Sequence, residues 1–232
     1  MGNRAISRQS FRVLSGMSGV VGVLMLVLSF AINPGPPHDV EYHYADVVKF
    51  GQDNFTTILW GAWLQAVGPV FIVLFAFALV HLTGATQRLA GWMTLFGASV
   101  LMTTSLIEIS FYISALFPDP AIMPAISMQF IHAVQHLYFF VAAPALFFPL
   151  SVVLLGSTIL PRAFGYVALG LAIGFELLGL IFLRRLTLPD PVTAFAGVQA
   201  LWWLAAGITV MLRDGRKSIG AETIQTVISQ PL

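Results

Sequence analysis

Hydrophobic positions along this chain come in long blocks, not in alternating or narrow amphipathic stripes. Residues 13–32, 56–80, 90–116, 127–155, 163–182 and 192–212 each form a run of about 20 or more residues with few charges. A helix rising about 1.5 Å per residue needs about 20 such positions to cross a hydrocarbon core about 30 Å thick. The pattern therefore predicts an all-α polytopic membrane protein, with six transmembrane helices in one up-down bundle spanning residues 1–232. No period-two alternation recurs at about ten-residue intervals, which argues against a lipid-facing β-barrel. The first block is read as a span and not as a signal peptide, because its apolar core is long and no small-x-small cleavage site precedes the NPGPPHD loop.

Composition agrees with the pattern: 58% of residues are apolar and 9% are charged. Charge distribution then adds an orientation. Arg4, Arg8, Arg12, Arg88, Arg162, Arg213, Arg216 and Lys217 fall on one side of the alternating spans, and only Lys49, Arg184 and Arg185 on the other. The excess of basic residues predicts cytoplasmic N and C termini in a cell inner membrane. Residues 33–55 then form an outer loop. It opens on a rigid Pro-rich stretch, and the segment after it, with Val40, Tyr42, Tyr44, Val47, Val48 and Phe50, is expected to form a short interfacial helix.

Several functional classes drop out. A formal net charge of +1 and the lack of Walker, Rossmann or zinc-finger spacing give no reason to expect nucleic acid as a partner. With no cysteine there are no disulfides, thiolate ligands or Cys nucleophile, and no span contains a lysine that could carry a Schiff base. The expected partner is the lipid bilayer, with a small molecule or lipid as a candidate ligand.

Polar residues inside the spans carry the remaining chemistry. Glu108 and Glu176 are the only acidic residues in any predicted span. Counted from the outer ends of their spans, Glu108, Glu176, His132, His136, Gln65 and Gln199 fall about 7–14 Å deep at helical rise. Ionisable groups in a membrane are costly, and they face the bundle interior or a water-filled cavity. Helical spacing adds Thr104, Ser105 and Tyr112 to the stripe of Glu108, and groups Gln129, His132 and His136 on the fourth span. Trp60 and Trp63, with Trp202 and Trp203, are candidate walls.

Three uses of this layer stay open. Glu–His contacts could simply lock the helices together. His132 and His136, four apart on one helix, could bind a zinc, iron or manganese ion with Glu108 and Glu176. Alternatively, Glu108, Tyr112, Gln129, Gln65, Gln199 and Trp63 could line a pocket for a small molecule or a proton, opened by kinks at Pro69, Pro144 and Pro149. A haem held by two histidines is disfavoured, since His81 lies near the other membrane face and His132 and His136 share one helix. Gly16, Gly19 and Gly22 on the first span, and Gly170 and Gly174 on the fifth, make small-residue faces suited to close packing inside the bundle.

The segments SLIEISFYISAL, LPRAFGYVALGLAIGFELLGL and FAGVQALWWLAAGITVML resemble a large group of bacterial six-span membrane proteins catalogued as a domain of unknown function. The shared features are a Glu in the third span (Glu108), a Leu-Pro-Arg turn (Leu160, Pro161, Arg162) and an Ala-Leu-Trp run in the sixth span (Ala200, Leu201, Trp202). The HAVQH pair and Trp203 depart from that pattern. The resemblance covers the second half of the chain and implies a six-helix bacterial inner-membrane protein, without an activity.

Overall fold

The computed structural model describes residues 7–32, 44–116, 123–181 and 190–213. Among them there are helices and turns but no strand. The helices are α1 (Arg8–Ile32), α2 (Tyr44–Asp53), α3 (Phe55–Leu82), α4 (Leu89–Ala115), α5 (Met123–Leu137), α6 (Ala143–Leu155), α7 (Arg162–Ile181) and α8 (Asp190–Leu212). A π-helical turn, Tyr138–Ala142, joins α5 to α6 without a break. Six stretches are long and apolar enough to cross a membrane: Arg8–Ile32, Phe55–Leu82, Leu89–Ala115, Gln129–Leu155, Arg162–Ile181 and Ala194–Leu212. The expected all-α, six-span architecture is therefore present. The NPGPP stretch, His43, Arg184, Arg185 and the tail after Arg213 lie outside the described residues.

Helix ends are set by chemistry that hydropathy does not report. α1 starts earlier than its apolar run because the Ser7 hydroxyl accepts a hydrogen bond from the Ser10 N–H at 3.1 Å, capping the first turn. α3 stops at Leu82. Its last carbonyls are met by the Thr83 and Gly84 N–H groups, and Gly84 takes φ +67°, a left-handed conformation that glycine adopts without penalty. The π turn precedes Pro144, which has no N–H to give to the carbonyl four residues back. Widening the helix by one residue lets the chain absorb that missing bond.

α1 packs between α3 and α8; α4 bridges α3 to the α5–α6 span, and α7 lies against α6, the π turn and α8. Lipid-facing positions are as apolar as buried ones, so close backbone approach takes the place of a hydrophobic driving force. At the α1–α3 crossing a methyl group on Gly22 would sit 2.8 Å from the Gly68 carbonyl oxygen, and one on Gly68 would sit 3.0 Å from that of Gly22. Gly16 meets Gly207 and Met211 of α8 in the same way, and Gly19 lies beneath the Phe75 ring. The Ser29 hydroxyl adds a bond to the Gly61 carbonyl at 2.8 Å. The first-span glycine face thus serves packing within the bundle. On α7 the expected pair splits: Gly174 abuts Phe195, while Gly170 faces open space.

The core beneath these crossings is aromatic. Phe75, Phe147, Trp202 and Trp203 form edge-to-face and tilted contacts with ring centroids 4.8–5.9 Å apart. Phe139, Phe175 and Phe195 continue the chain of rings from the π turn into α7 and α8.

Candidate functional site

Glu108 is buried on the face of α4 that also carries Ser105 and Ile109. Its two carboxylate oxygens are engaged by different helices. The Gln65 amide of α3 donates to Oε2 at 3.0 Å, and the Gln135 amide of α5 donates to Oε1 at 3.0 Å. Both donors are neutral. The carboxyl is thus the central member of a clasp spanning α3, α4 and α5, and two of its roughly four acceptor positions are filled.

Other polar side chains extend the clasp. Tyr112, one turn along α4 from Glu108, lies beside Gln135 and Glu108. Tyr138, in the π turn, meets the Gln199 amide of α8 at 2.9 Å to Oε1 and 2.6 Å to Nε2, and lies within electrostatic reach of Glu108. α8 is tied in by this second contact.

The two histidines behave differently from each other. His136 Nδ1 is 2.9 Å from the His132 backbone carbonyl. A carbonyl can only accept, so this nitrogen must carry the proton. His132 lies beside Gln135, and its Nδ1 is shielded from solvent without a hydrogen-bond partner among the described residues.

Among the described residues, no three of His, Cys, Asp and Glu come together in an arrangement able to hold a metal ion. The expected set of His132, His136, Glu108 and Glu176 is therefore not assembled. Glu108 is held by amides, His136 turns one nitrogen to its own helix, and Glu176 is half-buried on α7 and absent from the clasp. Of the other candidates, Gln65 and Gln199 are buried in the polar layer as expected. Gln129 is exposed, and Trp63 and Trp60 are 51% and 58% exposed, stacked edge-to-face on each other on the outer surface of α3. These three do not line the clasp. Trp202 and Trp203 are buried, but in the aromatic core, where Trp202 Nε1 donates to the Phe164 carbonyl at 3.0 Å. Thr104 spends its hydroxyl on the Val100 carbonyl of its own helix.

Sequence reasoning missed Gln135 and Tyr138. The periodic stripe through Gln129, His132 and His136 drew attention to a face about 100° away from Gln135. Ile131, Val134, Phe139 and Ala142 mark the face that is buried. Only the spacing of a second polar line, Ser127, Gln135 and Tyr138, hints at it from the sequence.

The molecule is a polytopic α-helical membrane protein with a buried carboxyl–amide cluster joining three of its spans. No protein-family model, curated protein or solved structure matches the chain.

Proposed function

We propose that the Gln65–Glu108–Gln135 clasp is a helix lock, and that the protein is a non-catalytic inner-membrane protein of bacterial six-span type. One observation carries this reading: each oxygen of the only buried acid among the described residues is taken by an amide from a different helix. Such groups in hydrocarbon have no water to fall back on, so they favour one arrangement of the spans. In this reading the α2 face points outward. Arg8, Arg12, Arg88, Arg162 and Arg213 then gather at the cytoplasmic ends of the spans, as the distribution of basic residues favours.

A double-mutant cycle of Gln65→Ala with Glu108→Ala, read by thermal or steric-trap unfolding in detergent, tests the lock. A coupling of about 0.5–2 kcal/mol is expected for interhelical bonds of this kind. Additive effects would sink the reading.

A second reading is favoured by His132, whose shielded, unpartnered Nδ1 beside Gln135 leaves one hydrogen-bonding position for a small molecule or lipid ligand. It requires that His132→Ala lose a co-purifying compound, detected by mass spectrometry of the extracted protein, with stability unchanged. A stability loss and no lost compound would return His132 to the lock.

A further inference from the structure

At the end of the bundle opposite α2, the loop 156–161 and the ends of α7 and α8 border a shallow cavity of about 450 Å³ that opens widely to the surface. Two guanidinium groups, Arg162 and Arg213, and the hydroxyls of Ser157 and Thr158 line it, with Thr209, whose O–H is given to the Ala205 carbonyl; among the described residues no acidic side chain lines it. We propose that this cavity binds a phosphate group, supplied by an anionic phospholipid of the adjoining leaflet.

Three features support it. Arg213 spends one N–H on the Ile159 carbonyl, which fixes its guanidinium across the loop and leaves further donors for an oxyanion. The Ser157 oxygen accepts from the Ile159 N–H at 3.4 Å, so its own O–H is available to donate into the cavity. Leu160, only 2% exposed, anchors the loop in the bundle, so these donors are held by packing and do not depend on a mobile segment.

The location selects the lipid over a soluble anion. Leu155 ends one span and Arg162 begins the next, which puts the cavity at the boundary where phosphodiesters reside. Tyr166, one turn along α7 from Arg162, and Leu212, next to Arg213, are 61% and 77% exposed, apolar positions beside the cavity along which acyl chains can run. A free phosphate would use the guanidiniums and leave that surface unused.

The test is thermal unfolding of the full chain in neutral detergent, titrated with phosphatidylglycerol, with diacylglycerol of the same chains, or with inorganic phosphate. Phosphatidylglycerol should raise the midpoint and diacylglycerol should not. Arg162→Gln should weaken the half-saturating concentration by about tenfold, the loss of a charge-assisted contact. Arg162→Lys should weaken it less, and Arg8→Gln, outside the cavity, should leave it unchanged. Stabilisation by inorganic phosphate equal to that by the lipid, and lost in Arg162→Gln, would keep the phosphate site but overturn its lipid source. No effect of either phosphate ligand on the wild type, or equal losses in Arg162→Gln and Arg8→Gln, would overturn the site. Should Arg162→Gln fail to fold, native mass spectrometry of the wild type decides alone. Retention of phosphatidylglycerol over diacylglycerol, with release at high salt, is expected; equal retention defeats the proposal.

Discussion

Two halves of the bundle hold their helices by different means. Toward α2, the spans are joined by directional bonds: Gln65 and Gln135 to Glu108, and Tyr138 to Gln199. In the middle and toward the other end they are joined by shape, with Gly16, Gly22, Gly68 and Gly207 admitting neighbouring backbones above an aromatic core. Hydrogen bonds fix which residues face each other, but each is worth little where the separated helices can find other partners. Close packing leaves less freedom, because a backbone in van der Waals contact with another cannot retreat locally. The shape-matched half should therefore dominate stability, and the bonded half should set register.

The largest effect expected is at the α1–α3 crossing. Gly22→Val places a branched side chain against the Gly68 carbonyl and the Ile72 backbone nitrogen, both 3.0 Å or less from where a first methyl would sit. Overpacking of this kind costs about 3 kcal/mol or more when the obstacle is backbone. Unfolding in detergent should show loss of the cooperative transition or a fall of that size. A tolerated Gly22→Val would mean that shape is not what holds this half.

Glu108→Ala comes next and strikes the bonded half at its centre. It strands the buried Gln65 amide and the half-buried Gln135 amide at once, a loss of about 2–3 kcal/mol. Glu108→Leu fills the space without supplying acceptors and should recover only part of it. Full recovery would mean that the polar layer is replaceable by packing, as some buried ionic clusters are, and would erase the contrast between the halves.

The contrast also explains what could be read from the sequence. All six spans were legible, since twenty apolar residues in a row have few uses outside a bilayer. That Gln65, Glu108 and Gln199 come to one level of the bundle was legible too, because alternating spans convert sequence position into height. Rotation about each helix axis was not. A soluble helix advertises its buried face through amphipathicity, whereas here lipid and core are equally apolar, and α5 could present Gln129 or Gln135 inward on hydropathy alone. The π turn compounded this, inserting one residue after Leu137 and shifting every later position relative to the α-helical count. Gln135, which precedes the turn, was missed for the first reason and Tyr138, inside it, for both; Trp60 and Trp63 were assigned inward for the first.

A smaller effect is expected from Tyr138→Phe, which removes one hydroxyl and leaves the ring contacts with Phe139 and Phe175. The loss should be about 1 kcal/mol, carried by the Gln199 amide left unpaired. Combining it with Gln199→Leu should return most of that loss. Simple addition of the two penalties would show that the pair does not couple α8 to the π turn.

The smallest effect is the sharpest test of the rotation of α5. Gln129 is exposed, so Gln129→Ala should change stability by less than about 0.5 kcal/mol. Gln135→Ala, six residues on, leaves Glu108 Oε1 without its donor and should cost about 1–2 kcal/mol. The two substitutions are chemically identical and lie on the same helix, so insertion, helix propensity and side-chain entropy cancel between them. What remains is which way each amide points. Equal losses would mean that α5 is turned toward the histidine stripe, with Gln129 sharing the interior, and the clasp would then have to be redrawn around His132 and His136. A loss confined to Gln135 would fix the face of α5 and, through it, the helix to which Glu108 is tied.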